Sequence, residues 1–240
     1  SKLHFEPMHF PSSMLDDKLE FSRFLNRIGE QPIPYSEDIG ETPAEFPVFL
    51  KARYSWKNNV KLPRGYVVFN ENDYYEQLKY IKESNLHLND YFKQKFIMSG
   101  IENNISVCGY FDYSNHQRNA IILVRKVSGL QENITTGAII ETIDDPNNLV
   151  SRTVFILDQI KFKGPFELEF FYDHYADKYY VLELNPRFWL QHGIFIDVYD
   201  NALIKRYLEI EEESEWFENG VAPFEKVTWV NRYEYALDKL

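Results

Sequence analysis

The segment YYVLELNPRFW at residues 179–189 carries a carboxylate, an amide and a guanidinium within a run of large apolar residues. Because side chains alternate along a β-strand, the odd-numbered polar residues share one face and the even-numbered residues share the other. The polar residues are Glu183, Asn185 and Arg187, and the even-numbered ones are Tyr180, Leu182 and Leu184. The pattern predicts a strand with one apolar core face and one face equipped for chemistry.

The segment FELEFFYD at residues 166–173 has the same alternation and predicts the partner strand of a hairpin. Its polar face begins with Glu167 and Glu169. The apolar faces of the two strands must match across a short turn. Together with a turn of about three to five residues centred on Ala176, this requirement places Glu169 opposite Glu183 and Glu167 opposite Asn185.

Two directly opposed carboxylates have Cβ atoms about 4.5–5.5 Å apart and repel one another unless a proton or a cation lies between them. A hard divalent cation held by Glu169, Glu183 and the side-chain oxygen of Asn185 removes this repulsion. A small number of oxygen ligands is typical of Mg²⁺ that also binds substrate phosphates. Two other interpretations remain open: a glycosidase with Glu169 and Glu183 as carboxyls about 5 Å apart, and an exposed sheet face with ordinary salt bridges.

Composition and charge argue against several classes of protein. The 240 residues are 44% hydrophobic and include 37 acidic and 26 basic side chains, for a net charge of −11. This excess of negative charge argues against a nucleic-acid partner. No apolar run reaches the roughly 18 residues of a transmembrane helix, so no membrane partner is expected. The one cysteine, Cys108, cannot form an internal disulfide, and we expect it to be a small core residue of a cytoplasmic protein.

The predicted elements are a helix, then two strands and a helix, then a mostly antiparallel sheet with helices, an order typical of an α+β fold. Helices are expected over residues 12–30, 70–85 and 144–164. The last of these is begun by Asp145 and ended by Gly164. Strands are predicted at residues 46–53, 66–69, 93–98, 103–112, 119–128 and 137–143, followed beyond the hairpin by a helix at 194–210 and by a strand and short helix within 225–240.

The segment VLELNPRFW resembles the metal-binding signature of the ATP-grasp superfamily, in a form most similar to carbamoyl-phosphate synthase-like and other carboxylate–amine ligases. In that signature an acidic residue about fourteen positions earlier supplies a second ligand, and here this residue is Glu169. The resemblance implies that Glu169, Glu183 and Asn185 hold one or two Mg²⁺ ions, for which Mn²⁺ can substitute. It also implies that Arg187 contacts the transferred phosphate or an acyl phosphate.

Upstream segments are similar to the family in the expected order. The resemblance implies that Lys51 touches the phosphates of ATP from a lid subdomain at residues 46–95. A catalytic subdomain follows at 96–240, and a helix and connector at 1–45 follow a missing α/β domain. Further residues are implied in the ATP site: Phe96, Ile97 and Met98 at adenine, Glu102 or Asn104 at ribose, and Arg125 or Lys126 at a phosphate or substrate.

The predicted function is therefore an ATP- and Mg²⁺-dependent ligase that activates a small-molecule carboxylate as an acyl phosphate and joins it to an amine. One departure leaves an alternative open. The family's lid loop is rich in glycine, whereas residues 53–65 contain one glycine and four cations, namely Arg53, Lys57, Lys61 and Arg64. This loop is also consistent with a nucleotide-binding module of weakened activity. The identities of the carboxylate and amine, and the oligomeric state, cannot be read from the sequence.

Overall fold

The computed structural model describes residues 15–57, 59–84, 86–97, 100–129, 137–199, 202–209 and 226–231 of the chain. The described residues form two compact units, each with its own sheet. The first unit ends at Ile97, and the second begins at Gly100. The structure groups the predicted N-terminal helix and connector with the lid strands rather than apart from them.

The first unit combines two helices with a four-stranded sheet of order β1-β6-β2-β5 and a separate two-stranded hairpin, β3-β4. The strands paired within its described residues are all antiparallel. Its elements are α1 (Lys18–Arg27), β1 (Tyr35–Ser36), β2 (Val48–Ala52), β3 (Trp56–Lys57), β4 (Val60–Lys61), β5 (Gly65–Val68), α2 (Glu71–Glu83) and β6 (Tyr91–Lys95). The polar loop predicted between β2 and β5 thus contains a short hairpin.

Helix α1 is capped by a carboxylate at its start and is followed by a glycine two residues after its end. The side chain of Asp17 accepts hydrogen bonds from the backbone N–H groups of Leu19 (3.0 Å) and Glu20 (3.3 Å), which would otherwise have no partner in the helix. The chain leaves the helix through Gly29, whose φ of +81° favours a residue without a Cβ atom. The Lys18 N–H donates to the Arg53 carbonyl at 2.9 Å, which ties α1 to the end of β2.

Helix α2 packs its predicted apolar face on the sheet of the first unit. Asn70 caps the helix by accepting from the N–H of Asp73 at 3.0 Å. The buried residues Tyr74 and Ile81 lie in one core cluster with Val48 and Leu50 of β2. Because side chains alternate along β2, Lys51 lies on the opposite face of this sheet.

The second unit is built on a six-stranded sheet of order β11-β10-β7-β8-β9-β12, in which every neighbouring pair is antiparallel. The strands are β7 (Asn104–Asp112), β8 (Ala120–Gly129), β9 (Gly137–Thr142), β10 (Lys163–Asp173), β11 (Lys178–Asn185) and β12 (Thr228–Val230). The helices are α3 (Leu149–Gln159), α4 (Ile194–Tyr199) and α5 (Ala202–Tyr207). This arrangement confirms the predicted α+β class with a mostly antiparallel sheet.

The two faces of this sheet are covered by different parts of the chain. Helix α3 lies against one face, where the Arg152 guanidinium is 5.2 Å from the centroid of the Phe170 ring. On the other face, Trp189 and Leu203 pack in a core cluster with Cys108 of β7 and Ile122 of β8. Cys108 is fully buried, and burial raises the pKa of its thiol, as expected for a core residue.

The end of helix α3 differs from the prediction. The prediction that Asp145 is the residue that begins the helix is also wrong, because Pro146–Asn148 form a 3₁₀ turn and the helix begins at Leu149. The Asp145 carboxylate still accepts from the N–H groups of Leu149 (2.6 Å) and Val150 (3.2 Å). The helix ends at Gln159, and Lys161 takes the left-handed conformation (φ +50°) that turns the chain toward β10. Gly164 lies within β10, so the prediction that it ends the helix is wrong.

Several other predicted bounds also differ. Strand β6 ends at Lys95, so Phe96 and Ile97 lie beyond it. The helix expected at residues 194–210 is seen as α4 and α5. The short helix expected at the C-terminus lies outside the described residues. No helix within the described ranges is both long and apolar enough to cross a membrane.

Candidate metal-binding site

The register of the β10–β11 hairpin confirms the predicted pairing at its carboxylate end. Glu169 is opposite Glu183, and Glu167 is opposite Asn185. A β-bulge follows immediately, because Phe170 pairs with Val181 and leaves Leu182 as an extra residue.

The bulge overturns part of the predicted alternation. Beyond it, Tyr180 is opposite Phe171 and Val181 is opposite the core residue Phe170. The prediction that Tyr180 shares the apolar face of Leu184 is therefore wrong. The alternation is regular on each side of the bulge, but it is offset by one residue across it.

Glu169 is the centre of a hydrogen-bond network on one face of the sheet. Its Oε2 accepts from the Lys126 ammonium at 2.8 Å and from the Asn104 amide at 3.1 Å. Its Oε1 accepts from the Asn185 amide nitrogen at 3.3 Å. The same nitrogen is 3.2 Å from Oε2 of Glu167. The structure thus directs the nitrogen of Asn185 toward the two carboxylates.

Glu167 is a part of this network that the sequence-based site did not include. Its Oε1 accepts from the Ser106 hydroxyl at 3.1 Å. The alternation of β10 places Glu167 on the same face as Glu169, and this signal was sufficient to include it. Ser106, which is opposite Glu169 in the neighbouring strand β7, carried no comparable signal.

Burial makes the charges of this face interact strongly. Glu167 and Glu169 are each 8% exposed, so the interpretation as an exposed sheet face with ordinary salt bridges is wrong. Burial and the charge of Glu169 raise the pKa of Glu167 to about 7. Burial acts to lower the pKa of Lys126, but the charges of Glu169, Glu167 and Glu183 outweigh it and raise this pKa above its ordinary value. The face has more carboxylate charge than Lys126 neutralises.

The structure separates the residues that the sequence left as alternatives. Lys126 is in the network, whereas Arg125 lies on the opposite face and forms an ion pair with Glu141. Asn104 is buried and bonded to Glu169, whereas Glu102 lies exposed in a short 3₁₀ turn before β7.

Arg187 lies just past the end of β11 and is exposed. Its Nη1 donates to the Phe188 carbonyl at 3.1 Å. The guanidinium is thus not brought into the carboxylate network by any contact seen in the described residues.

The residues of the first unit that were predicted to bind the nucleotide differ in burial. Lys51 is 5% exposed and is opposite Gly65 and Phe92 in the sheet. A Cβ atom at Gly65 would lie 2.4 Å from the Leu50 carbonyl oxygen, so this glycine permits close strand packing. Phe96 is half-buried and Ile97 is buried, whereas Met98 lies outside the described residues.

Two of the four cations between β2 and β5 are paired with carboxylates of the same unit. Arg53 binds Asp17, which also accepts from the Tyr54 hydroxyl at 2.8 Å. Lys57 pairs with the buried Asp90. Both other cations, Lys61 and Arg64, are exposed.

The donor atoms of the carboxylate face fit a hard divalent cation. They are carboxylate and amide oxygens, and they carry a surplus of negative charge in a buried setting, which a cation would relieve. The Oδ1 atom of Asn104 is buried and has no hydrogen-bond partner in the described structure. The described ranges contain no group of three or more His, Cys, Asp or Glu side chains that could hold a metal ion without other ligands. Amide and substrate oxygens would therefore have to complete the ligand set.

The chain is similar in structure to several solved nucleotide-dependent enzymes. It matches the biotin carboxylase domain of Hydrogenobacter thermophilus 2-oxoglutarate carboxylase, solved with MgADP and bicarbonate, with a TM-score of 0.67 and 14% identity over 90% of this chain and 50% of that chain. It matches an L-amino acid ligase from Bacillus licheniformis with a TM-score of 0.64 and 13% identity over 90% of this chain and 53% of that chain.

A third match is N5-carboxyaminoimidazole synthase from Aspergillus clavatus, solved with ADP and its aminoimidazole ribonucleotide, with a TM-score of 0.60 and 14% identity over 88% of this chain and 54% of that chain. The chain has the ATP-grasp fold. It spans about half the length of these ATP-grasp chains. No protein-family model and no curated protein sequence matches it significantly.

Proposed function

We propose that this chain is the nucleotide- and metal-binding part of an ATP- and Mg²⁺-dependent ligase that activates a carboxylate as an acyl phosphate and joins it to an amine. The observation that carries the proposal is the opposed pair Glu169 and Glu183 on an ATP-grasp fold, with Asn185 two residues further along β11. A surplus of buried carboxylate charge is the setting in which a Mg²⁺–nucleotide complex is stabilised.

Glu169, Glu183 and Asn185 would hold the cation in this proposal. When bound, the cation neutralises the charge of the phosphate groups. Asn185 must then present its amide oxygen rather than the nitrogen that faces Glu167 and Glu169 in the structure. The buried Oδ1 of Asn104 has no hydrogen-bond partner in the described structure, and the amide nitrogen of the same side chain donates to Glu169, so this oxygen is a further candidate ligand of the cation.

The predicted nucleotide-binding residues outside β8 keep their proposed roles. Lys51 would contact the nucleotide phosphates, and Arg187 would contact the transferred phosphate, which an exposed guanidinium can bind through two parallel hydrogen bonds. The main chain at Phe96–Met98 would hold adenine, and Glu102 would hold ribose in preference to Asn104, whose amide is already bonded to Glu169.

A nucleotide-binding module of weakened activity is the second candidate. The observation that favours it is the pairing of Arg53 with Asp17 and of Lys57 with Asp90. These cations stabilise the first unit, so they are less available to compensate for the missing loop glycines. The glycosidase interpretation gains no support from an ATP-grasp fold.

ADP release from ATP and Mg²⁺ across a panel of carboxylates and amines tests the ligase proposal. We expect release that depends on both a carboxylate and an amine, and we expect Glu183→Gln to abolish it while circular dichroism shows an unchanged fold. Glu141→Gln is the matched control, because Glu141 belongs to the same unit but pairs with Arg125 on the opposite face.

The outcomes distinguish the candidates. Turnover retained by Glu183→Gln would refute the metal assignment. Binding of ATP and Mg²⁺ in a thermal shift assay without ADP release would favour the weakened module. Since the chain spans about half of the similar solved chains, the panel should be repeated with any additional sequence of the full protein present.

A further inference from the structure

The ammonium group of Lys126 lies beside Glu169, where a metal ion bound to this carboxylate would also lie. It is 9% exposed, and its ammonium lies 2.8 Å from Glu169 Oε2. Lys126 belongs to β8 and Glu169 to β10, so the side chain reaches across the intervening strand β7. The contact is a long-range buried ion pair rather than a local surface one.

Glu169 is surrounded by hydrogen-bond donors on both of its oxygens. Oε2 accepts from Lys126 and from Asn104, and Oε1 accepts from Asn185. A metal ion needs lone pairs of these oxygens that no N–H group occupies. An ammonium and a divalent cation also repel each other strongly at the separation set by one shared carboxylate, the more so where burial weakens solvent screening.

We propose that Lys126 is the resident counter-ion of Glu169 and that a divalent cation must displace its ammonium in order to bind. The inference rests on the proposed function and extends it, because Lys126 would then control the affinity of the site for a cation. By this exchange, the charge of the buried carboxylates is compensated both before and after the cation binds. Binding of the cation alone is therefore weaker than the carboxylate set would otherwise give.

A titration with Mn²⁺ alone, without nucleotide or substrate, tests the exchange. Free Mn²⁺ is followed by electron paramagnetic resonance for the unmodified chain, Lys126→Met and Lys126→Arg. We expect Lys126→Met to bind Mn²⁺ about tenfold more tightly, because the competing charge is gone. Lys126→Arg keeps the charge and should bind Mn²⁺ as the unmodified chain does. Equal or weaker binding by Lys126→Met would overturn the proposal.

Arg125→Met is the matched control. Arg125 is the neighbouring cation in β8, but it pairs with Glu141 on the other face of the sheet. Its replacement removes the same formal charge without touching Glu169. Mn²⁺ affinity should therefore stay at the unmodified value, and an equal gain in both variants would assign the effect to net charge and overturn the specific role of Lys126.

Thermal denaturation supplies a second measurement. Lys126→Met leaves buried carboxylates without their counter-ion, so its melting temperature should fall in EDTA and recover when Mn²⁺ is added. Lys126→Gln gives the same comparison if the Met variant does not fold, since the amide can still donate to Glu169. The double variant Lys126→Met/Glu169→Gln should fold without metal and show no recovery. A melting temperature that Mn²⁺ does not restore in the single variants contradicts the exchange.

The metal-only design separates this inference from the ligase proposal. Failure of the ligase proposal would appear as absent ADP release, while Lys126→Met still binds Mn²⁺ more tightly than the unmodified chain. Failure of the exchange would appear as equal or weaker Mn²⁺ binding by Lys126→Met, whatever the turnover.

Discussion

The loop of the first unit and the carboxylate face of the second unit both bury charged side chains, but they balance those charges differently. In the loop, Arg53 meets Asp17 and Lys57 meets Asp90, one cation to one carboxylate. On the carboxylate face, three carboxylates share one cation: the charges of Glu169, Glu167 and Glu183 all raise the pKa of Lys126.

The pKa values show the consequence of this difference. Burial alone would raise the pKa of Asp17, but hydrogen bonds from Arg53 and Tyr54 outweigh it and lower the pKa below its ordinary value. On the carboxylate face, burial and the nearby Glu169 charge raise the pKa of Glu167. Balanced pairs stabilise the metal-free fold, whereas surplus charge of one sign indicates a site that is completed by a ligand.

The largest expected effect comes from breaking the balanced pair at Asp17. Asp17→Ala removes the cap of α1 and leaves Arg53 without its carboxylate, so we expect a loss of about 4 kcal/mol in the free energy of unfolding. The lowered pKa means that this stabilisation is present above about pH 4 and is lost as the pH falls further. Urea unfolding at pH 7 and pH 3 measures both.

The adjacent acid provides the control for that prediction. Asp16 is exposed, so Asp16→Ala should change the free energy of unfolding by less than about 0.5 kcal/mol. A similar loss in both variants would mean that the ion pair has no special role.

The opposite sign is expected on the carboxylate face. The pKa of Glu167 in the fold is about 7, against an ordinary value of 4.5. The folded chain therefore holds the proton more tightly than the unfolded chain, and stability falls as the pH rises through this window. Glu167→Gln cannot ionise and should be more stable at pH 8 in EDTA by up to about 3 kcal/mol.

Urea unfolding at pH 4 and pH 8 checks this prediction. The two proteins should be nearly equal at pH 4, where Glu167 is protonated in both states. Glu83→Gln, an exposed change on α2, should show no such pH-dependent gain. A destabilised Glu167→Gln at pH 8 would show that the carboxylate surplus is not a source of strain.

The smallest effect is expected at Lys57. Its side chain is 38% exposed, so solvent screens its pairing with Asp90. We expect Lys57→Met to lower the free energy of unfolding by no more than about 1 kcal/mol, and Lys61→Met in the same hairpin to leave it unchanged. A loss at Lys57 as large as that at Asp17 would remove the distinction between buried and screened pairs within the loop.

The sequence was sufficient for the features that depend on strand alternation and local capping. The opposition of Glu169 and Glu183 followed from matching apolar faces across a short turn. The contact of the Asp145 carboxylate with the first N–H groups of helix α3 followed from local hydrogen bonding, although the predicted first residue of the helix did not. The α+β class was also predicted correctly. The roles of the named site residues stay predictions.

Other features depend on contacts between distant parts of the chain and could not be read in advance. The bond between Lys126 and Glu169 crosses a strand, and the alternative Arg125 is its neighbour in sequence. The pairing of Arg53 with Asp17 joins a loop to a helix that precedes it by more than thirty residues. Composition counted these cations correctly but could not show which of them already had a carboxylate.

The bulge at Leu182 divides strand β11 into two halves that are offset by one residue relative to β10. A one-residue slip in a regular hairpin would turn every side chain to the other face. Here the half near the turn is already offset by one residue from the half that holds Glu169 and Glu183. A relative of this chain could therefore gain or lose a residue between the turn and the bulge and keep both carboxylates on the same face.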